Sequence, residues 1–300
     1  MTSQEVTVQG KRLKLSNLDK VLYPKAGFTK AQVIDYYLRI APLLLPHLRD
    51  RPLTMKRYPD GVEGEFFFEK QCPSHRPDWV KTAAVWSDQS QREVRYCLVQ
   101  DVATLAWAAN LADLELHVPL HRKSERPDAV VFDLDPGAPA GLVQCCEVAL
   151  LLKGMFDHLG LQSFAKTSGS KGLQIYLPLN SRATYGETKP FALAVARTLA
   201  AQRPDLIVSN MKKSLRPGKV LVDWSQNDPH KTTICVYSLR ARERPTVSTP
   251  VTWDEVRRCS RKKDAALLSF DAQEVLRRTG ELGDLFEPLL SLKQKLPRGQ

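Results

Sequence analysis

The sequence predicts a mixed α+β protein in which strands carry acids and loops carry cations. Ala129-Val130-Val131-Phe132-Asp133-Leu134-Asp135-Pro136-Gly137 alternates at period two, so Asp133 and Asp135 share one face while Phe132 and Leu134 pack the other. Val220-Leu221-Val222-Asp223-Trp224 is a second short acid-bearing strand. Around them lie segments of helical period that open at capping signatures.

The elements follow in order. Thr29-Lys30-Ala31-Gln32 is a capping-box signature, and Val33, Tyr36, Tyr37, Ile40, Ala41 and Leu44 recur at helical spacing after it, with Pro46 helping to end the helix. Pro52 to Lys70 reads as strand, turn at Pro59-Asp60-Gly61 and strand, with the run Phe66-Phe67-Phe68. Residues 101–112 are helical. A helix from about Gly141 to His158, stopped by Gly160, follows the 129–135 strand. Leu173 to Leu177 is a strand with Gln174 and Tyr176 on one face, and a helix covers roughly Lys189 to Gln202. Helical stretches lie near 252–259 and 271–280, the second opening on Asp271 and Glu274. The end from Lys293 onward reads as frayed. No repeat, low-complexity tract or Gly/Ser linker marks a boundary, so a single domain over 1–300 is expected. Its parts would be about 1–120, about 121–250 and a helical remainder of about 251–300.

Composition narrows the function classes. Hydrophobic content of 43% with 26% charged residues is that of a soluble globular protein. No apolar run approaches the roughly 18 residues of a membrane span. The N-terminus lacks a basic segment leading into an apolar one, so no secretory signal and a cytoplasmic location are expected. Six cysteines, at 72, 97, 145, 146, 235 and 259, form no CxxC pair and read as reduced thiols, not as a disulfide frame. Cys72 and His75 have ligand-like spacing without a second pair, so no zinc site is expected. The formal net charge of +11 is concentrated in clusters. Lys11, Arg12, Lys14, Lys20, Lys25 and Lys30 face only Asp19; Lys212, Lys213, Arg216 and Lys219 form a second cluster; Arg240, Arg242 and Arg244 form a third. Bracketing an acidic centre, they favour a polyanion partner over a merely solvated surface.

The acids come first in the chemistry. Carboxylates sharing a strand end repel unless a cation lies between them, and Asp223 would complete a cage. Hard divalent ions in such a cage suit phosphoryl or nucleotidyl transfer, activating the attacking oxygen and shielding the leaving phosphate. The competing structural reading is that the carboxylates cap the turns beside them. Thr167-Ser168-Gly169-Ser170-Lys171-Gly172 forms a loop whose N–H groups and Lys171 can cradle phosphate, and it leads into a strand where a Walker A loop would lead into a helix. Ser214 to Asn227 places Arg216, Lys219, Asp223, Gln226 and Asn227 within one turn and strand, and Arg216 suits a bidentate grip on phosphate.

Asp133-Leu134-Asp135-Pro136-Gly137, Ser168-Gly169-Ser170-Lys171-Gly172 and Ser214 to Asn227 resemble the three motifs of the archaeo-eukaryotic primase superfamily. More narrowly they resemble the polymerase domain of bacterial ligase D, the double-strand-break repair enzyme. Leu22-Tyr23-Pro24, Arg51-Pro52-Leu53-Thr54, Phe67-Phe68-Glu69-Lys70 and Tyr237-Ser238-Leu239-Arg240 extend the similarity over about residues 10 to 255. The resemblance implies a primase-polymerase fold, with mixed sheets forming a central catalytic cleft flanked by helices and a DNA-end-binding N-terminal part. It implies Asp133, Asp135 and Asp223 as ligands of two catalytic ions, usually manganese, otherwise magnesium. Ser168, Lys171, Arg216 and Arg240 would hold an incoming NTP or dNTP, with Lys56, Gln174 and Gln226 beside it and His117 near its sugar. Phe67 and Phe68 would stack on bases, although alternation allows one of them to be core. Asn17, Lys20 and Lys30 would hold the 5′-phosphate across a gap, Lys30 from the first turn of a helix.

Two departures stand out. Gln174 occupies a position where the family commonly has histidine, and Gln can donate a hydrogen bond but carries no charge. Val118-Pro119-Leu120 follows His117 where Pro-Trp is frequent. Ending near 300 without ligase or nuclease modules, the chain resembles stand-alone primase-polymerases that partner separate ATP-dependent DNA ligases, and an excised domain of a larger protein would read the same. Ku is a further expected partner and the bacterial nucleoid the expected setting. The expected activity is template-directed gap filling or end extension in DNA repair, leaning toward ribonucleotides. The alternatives are a weakly active DNA-end-binding or bridging protein, and a haloacid-dehalogenase-like phosphatase, whose motif normally continues Gly-Thr and lies near the N-terminus.

Overall fold

A computed structural model describes residues 3–88, 90–123 and 126–297. The chain divides into two compact units and passes between them more than once. The first comprises 1–123, 232–247 and 271–283; the second comprises 124–231, 248–270 and 284–300.

The first unit opens with the antiparallel hairpin of β1 (Ser3–Val8) and β2 (Lys11–Ser16), then the short pair β3 (Val21–Tyr23) and β4 (Phe28–Thr29). Helix α1 (Lys30–Leu48) begins at the expected capping box: Thr29 Oγ1 accepts from Gln32 N, and Gln32 Oε1 accepts from Thr29 N. Its apolar stripe of Val33, Tyr36, Tyr37, Ile40, Ala41 and Leu44 is buried as the spacing requires. The two tyrosines carry a polar function that spacing does not reveal. Tyr36 Oη donates to Tyr237 O at 2.8 Å and Tyr37 Oη to Leu114 O at 2.7 Å, satisfying carbonyls inside the core. Next come β5 (Thr54–Arg57), β6 (Phe67–Glu69), the hairpin of β7 (Thr82–Ser87) and β8 (Arg92–Cys97), helix α2 (Val102–Asn110) and β9 (Asp113–Val118).

One expectation fails here. Cys72 and Cys97 are disulfide-bonded, with Cα atoms 5.1 Å apart. Backbone pairing brings them together: Cys72 N donates to Arg95 O, and Leu53 N to Cys97 O. Their separation of 25 residues resembles no motif, so counting cysteines could not reveal the bond. Cys145, Cys146, Cys235 and Cys259 are free and buried, as reduced thiols should be.

The second unit is built on β10 (Ala129–Pro136), followed by α3 (Leu142–His158), β11 (Phe164–Thr167), β12 (Leu173–Pro178), α4 (Tyr185–Gln202), β13 (Ile207–Val208) and β14 (Val220–Asp223). Helix α4 starts four residues before the expected Lys189. Thr184 and Glu187 form a capping box, and the helix runs through Pro190, which forgoes only one hydrogen bond near the start. The chain then adds β15 (Thr233–Ile234) to the first unit, whose main sheet has the order β15-β9-β5-β6. It re-enters the second unit with β16 (Pro250–Val251) and α5 (Trp253–Lys262), returns α6 (Ala272–Leu282) to the first and ends with α7 (Pro288–Ser291) in the second.

The six-stranded sheet of the second unit has the order β13-β14-β10-β12-β11-β16, and every neighbour is antiparallel except β13 and β14. One face is apolar. Phe132, Leu134, Leu173, Ile175 and Val222 are fully or almost fully buried against α3 and α5 residues such as Leu152, Phe156 and Val256. Each such side chain contributes about 1.5–3 kcal/mol, which fixes the strand register and leaves the acids on the other face. The expected frayed end is partly anchored: Gln294 Nε2 donates to Gln162 O and Pro178 O, while the last three residues lie outside those described. Among the described residues no helix is long and apolar enough to cross a membrane.

Candidate active site

The second unit carries a polar row across its sheet. Asp133 is the Cα partner of Asp223 on one side and of Gln174 on the other, and Gln174 is the partner of Lys166. Directly opposed residues in antiparallel strands stand about 4.5–5.5 Å apart at Cα, so these side chains form one continuous strip. Burial pushes the Asp133 carboxyl up to about 6, and the charge of Asp223 adds to the shift. Gln174 Nε2 opposes it by donating to Asp133 Oδ1 at 3.2 Å, and the Lys166 charge also lowers it. Gln174 thus holds an acid of the row. Its amide is oriented from behind, because Tyr176 Oη donates to Gln174 Oε1 at 3.3 Å.

Asp223 and Asp135 hold different partners. Asp223 Oδ1 caps the turn after β14, accepting from Ser225 N and Ser225 Oγ, while Oδ2 accepts from Gln226 Nε2 at 2.9 Å. Gln226 thus holds an acid of the row as well. Asn227 is structural: its amide pairs with both Val131 N and Val131 O and ties the turn to β10. Asp135 forms ion pairs with Lys171 at 3.1 Å and Arg216 at 3.4 Å. Arg216 also donates to Met211 O, and its Nε is buried without a hydrogen-bond partner, the signature of a donor awaiting an acceptor.

The loops bearing those cations abut the acid strand closely. A Cβ on Gly172 would lie 2.2 Å from Leu134 O, and one on Gly137 would lie 2.2 Å from Arg216 O. Ser168 knits its own loop, its Oγ accepting from Ser170 N and Gly172 N. Two amides of the expected backbone cradle are thereby spent, leaving Lys171 as the loop's projecting cation. Lys166 was not singled out from sequence. It is almost fully buried, its Nζ 2.6 Å from Ser248 Oγ and 5.7 Å from the Tyr176 ring centroid.

The remaining predicted residues lie in the first unit. Lys56, His117 and Arg240 surround the buried carboxylate of Glu115 at 3.4, 3.1 and 3.2 Å. Phe68 meets the His117 ring edge-on at 5.8 Å, and Phe67, on the other face of β6, lies against the Arg57 guanidinium. Phe67 is 44% and Phe68 56% exposed on this edge strand, so neither is core. Glu115 escaped sequence reading because one acid in an alternating Glu-Leu-His strand looks like a solvated position.

Lys30 is buried and donates to Ser16 O, and burial with the nearby charges of Lys20 and Arg57 lowers its ammonium to about 8. The helix N-terminus beside it is closed to ligands. Lys30 N and Ala31 N donate to Lys20 O and Leu18 O, so an anion there would be held by side chains. Lys20 pairs with exposed Asp60 at 2.7 Å, and Asn17, in left-handed backbone at φ 52°, starts the turn to Lys20.

Among the described residues no three His, Cys, Asp or Glu side chains converge as a ready-made metal cage. The donor set still fits a hard divalent cation. Asp133 and Asp223 face each other without a cation of the protein between them, and carboxylate oxygens accept further partners beside those they hold.

Comparison with known proteins places this geometry. The family described as LigD, primase-polymerase domain, matches residues 29–286. The chain belongs to that family. Membership makes it a nucleotidyltransferase of primase-polymerase type, and the haloacid-dehalogenase alternative falls away. The multifunctional non-homologous end joining protein LigD of Mycolicibacterium smegmatis is 43% identical over 282 residues, 93% of this chain and 36% of that protein. The bifunctional LigD of Bacillus subtilis is 36% identical over 247 residues, 82% of this chain and 39% of that one. The chain thus spans little more than a third of these curated relatives. The polymerase domain from Mycobacterium tuberculosis ligase D, solved in complex with DNA, superposes with a TM-score of 0.87 at 41% identity, covering 94% of this chain and 99% of that one.

Proposed function

We propose that the protein extends DNA ends and fills short gaps by template-directed nucleotidyl transfer during break repair in the bacterial cytoplasm. The observation carrying this reading is the opposition of Asp133 and Asp223 in the sheet register, with the Asp133 carboxyl pushed up to about 6. Such a pair is relieved by a cation. Asp133, Asp135 and Asp223 are the residues that would hold Mn2+ or Mg2+. Bound divalent ions supply activation of a primer 3′-hydroxyl and charge screening at the leaving phosphate.

The chain's own groups do the rest. Lys171 and Arg216, paired with Asp135 in the free protein, turn to the triphosphate of an incoming nucleotide, and the unpaired Arg216 Nε donates to one of its oxygens. Within the first unit, Lys56, His117 and Arg240 form a cationic cluster suited to anionic and sugar groups, and the exposed Phe68 is suited to stacking on a base. Lys30, with Lys20 and Asn17, holds a 5′-phosphate through side chains. A preference for ribonucleotides and cooperation with Ku and a DNA ligase belong to the same reading.

The test is primer extension on gapped DNA with Mn2+ and labelled nucleotides. Extension by the wild type that vanishes in Asp133→Ala supports the proposal. A wild type that binds gapped DNA tightly without extending it establishes a bridging protein in its place.

A further inference from the structure

Glu115 lies on β9 in the first unit, 2% exposed, and is given no role by the reaction proposed above. It nonetheless holds four partners. Its Oε2 accepts from His117 Nε2 at 3.1 Å and faces Lys56 Nζ at 3.4 Å. Its Oε1 accepts from Ala241 N at 3.0 Å and faces Arg240 Nε at 3.2 Å. Burial alone would raise this carboxyl. The hydrogen bond from His117 and the charges of Arg240, His117 and Lys56 outweigh that effect and hold it well below the usual carboxylate range.

We propose that Glu115 is a positioning residue that aims Lys56, His117 and Arg240 at the anionic and sugar portions of an incoming nucleoside triphosphate. The inference rests on the nucleotidyltransferase reading and names the part of the machinery that organises its nucleotide contacts. One carboxylate among three cationic or donor groups leaves the cluster short of negative charge, so it is built to receive an anion. Because a carboxylate only accepts, it holds His117 with the proton on Nε2 and leaves Nδ1 for the ligand. Through Ala241 N it also fixes the backbone carrying Arg240, whose carbonyl accepts from Tyr23 Oη at 3.1 Å. Lys56 is braced on its other side by rings, with Nζ 4.3 Å from the Phe66 centroid and 5.2 Å from that of Tyr58.

The two physical roles open to Glu115 differ in sign. A carboxylate that merely diluted positive charge would weaken triphosphate binding, and its neutralisation would strengthen it. A carboxylate that positions the three groups does the opposite when lost. The experiment compares wild type and Glu115→Gln by calorimetric titration with ATP and Mn2+, and by steady-state filling of a one-nucleotide gap opposite thymine. ATP affinity and KM are expected to worsen about ten- to a hundredfold, the loss of charge-assisted hydrogen bonds, with kcat changed less than about threefold. Binding to the gapped DNA should stay at the wild-type value, while Tm falls, because a buried carboxylate held below its usual range stabilises the fold when ionised.

Unchanged or tighter ATP binding in Glu115→Gln overturns the proposal. So does a parallel fall of gapped-DNA binding and kcat, which marks a structural carboxylate only. Should Glu115→Gln not fold, Glu115→Asp, whose charge is withdrawn by one methylene, is judged by the same criteria. A wild type that neither binds ATP nor extends DNA removes the nucleotidyltransferase reading and this inference with it. A wild type that extends normally beside an unimpaired Glu115→Gln removes this inference alone.

Discussion

The main sheets of the two units solve opposite electrostatic problems with the same geometry. In the second unit, Asp133 and Asp223 face each other across antiparallel strands, Asp133 offset by the Gln174 amide and the more distant Lys166, Asp223 by neutral donors of Ser225 and Gln226. In the first, Glu115 is shared by Lys56, His117 and Arg240. One strip lacks positive charge and the other lacks negative charge, although both sit on strands whose opposite faces pack a core. The pKa directions record the difference: the Asp133 carboxyl rises to about 6, whereas that of Glu115 falls below the ordinary range. Surroundings, not residue type, decide which ligand charge a carboxylate invites.

The comparison can be broken most severely at Asp133. Asp133→Ala is expected to reduce extension of gapped DNA by at least about a thousandfold while sparing DNA binding, measured by primer extension and fluorescence anisotropy. The ligand-free variant should also melt higher than wild type at pH 7. There the native carboxyl is ionised against its burial and against Asp223, a cost relieved as pH falls below about 6.

A second test concerns an anion site away from both strips. Replacing Lys20 and Lys30 together by Ala should remove a preference for 5′-phosphorylated gaps worth about tenfold or more, read by competition binding. Lys30 gives the preference a pH signature. Its ammonium titrates near 8 in the native state, below its ordinary value of about 10.5, so its charge burdens the free protein at pH 7 and is lost as pH rises through about 8. The 5′-phosphate advantage should fade over that range, with its midpoint displaced upward by the bound phosphate.

Gln174→Leu tests whether the amide orients Asp133. Mn2+ affinity and extension are each expected to fall by about three- to tenfold, the worth of one hydrogen bond to a carboxylate, with Tm little changed. Tyr36→Phe should leave activity intact and lower stability by about 1 kcal/mol in urea unfolding, because Tyr237 O loses a buried donor.

Much of this was legible in the sequence. The Asp133 and Asp135 strand, the capping boxes at Thr29 and Asp271, and the buried stripe of α1 follow from period and local chemistry. What stayed hidden depends on register between distant strands. That Gln174 faces Asp133, that Lys166 faces Gln174, and that Cys72 meets Cys97 are facts of pairing, which no spacing along the chain encodes. Glu115 was hidden differently: its partners at 56, 117 and 240 converge only once the sheet forms. The start of α4 at Tyr185 was hidden because its first turn carries Gly186 and no apolar period, and the Thr184–Glu187 capping box alone marks it.

The contacts at Gly137 and Gly172 bear on how such a protein can change over time. Each loop rests main chain against main chain, with no room for even a methyl between. Mutational drift can therefore retune what the loops grasp by exchanging Lys171, Arg216 or Gln174, yet it cannot slide them along the acid strand. Selectivity is free to wander here, while the scale of the pocket is inherited unchanged.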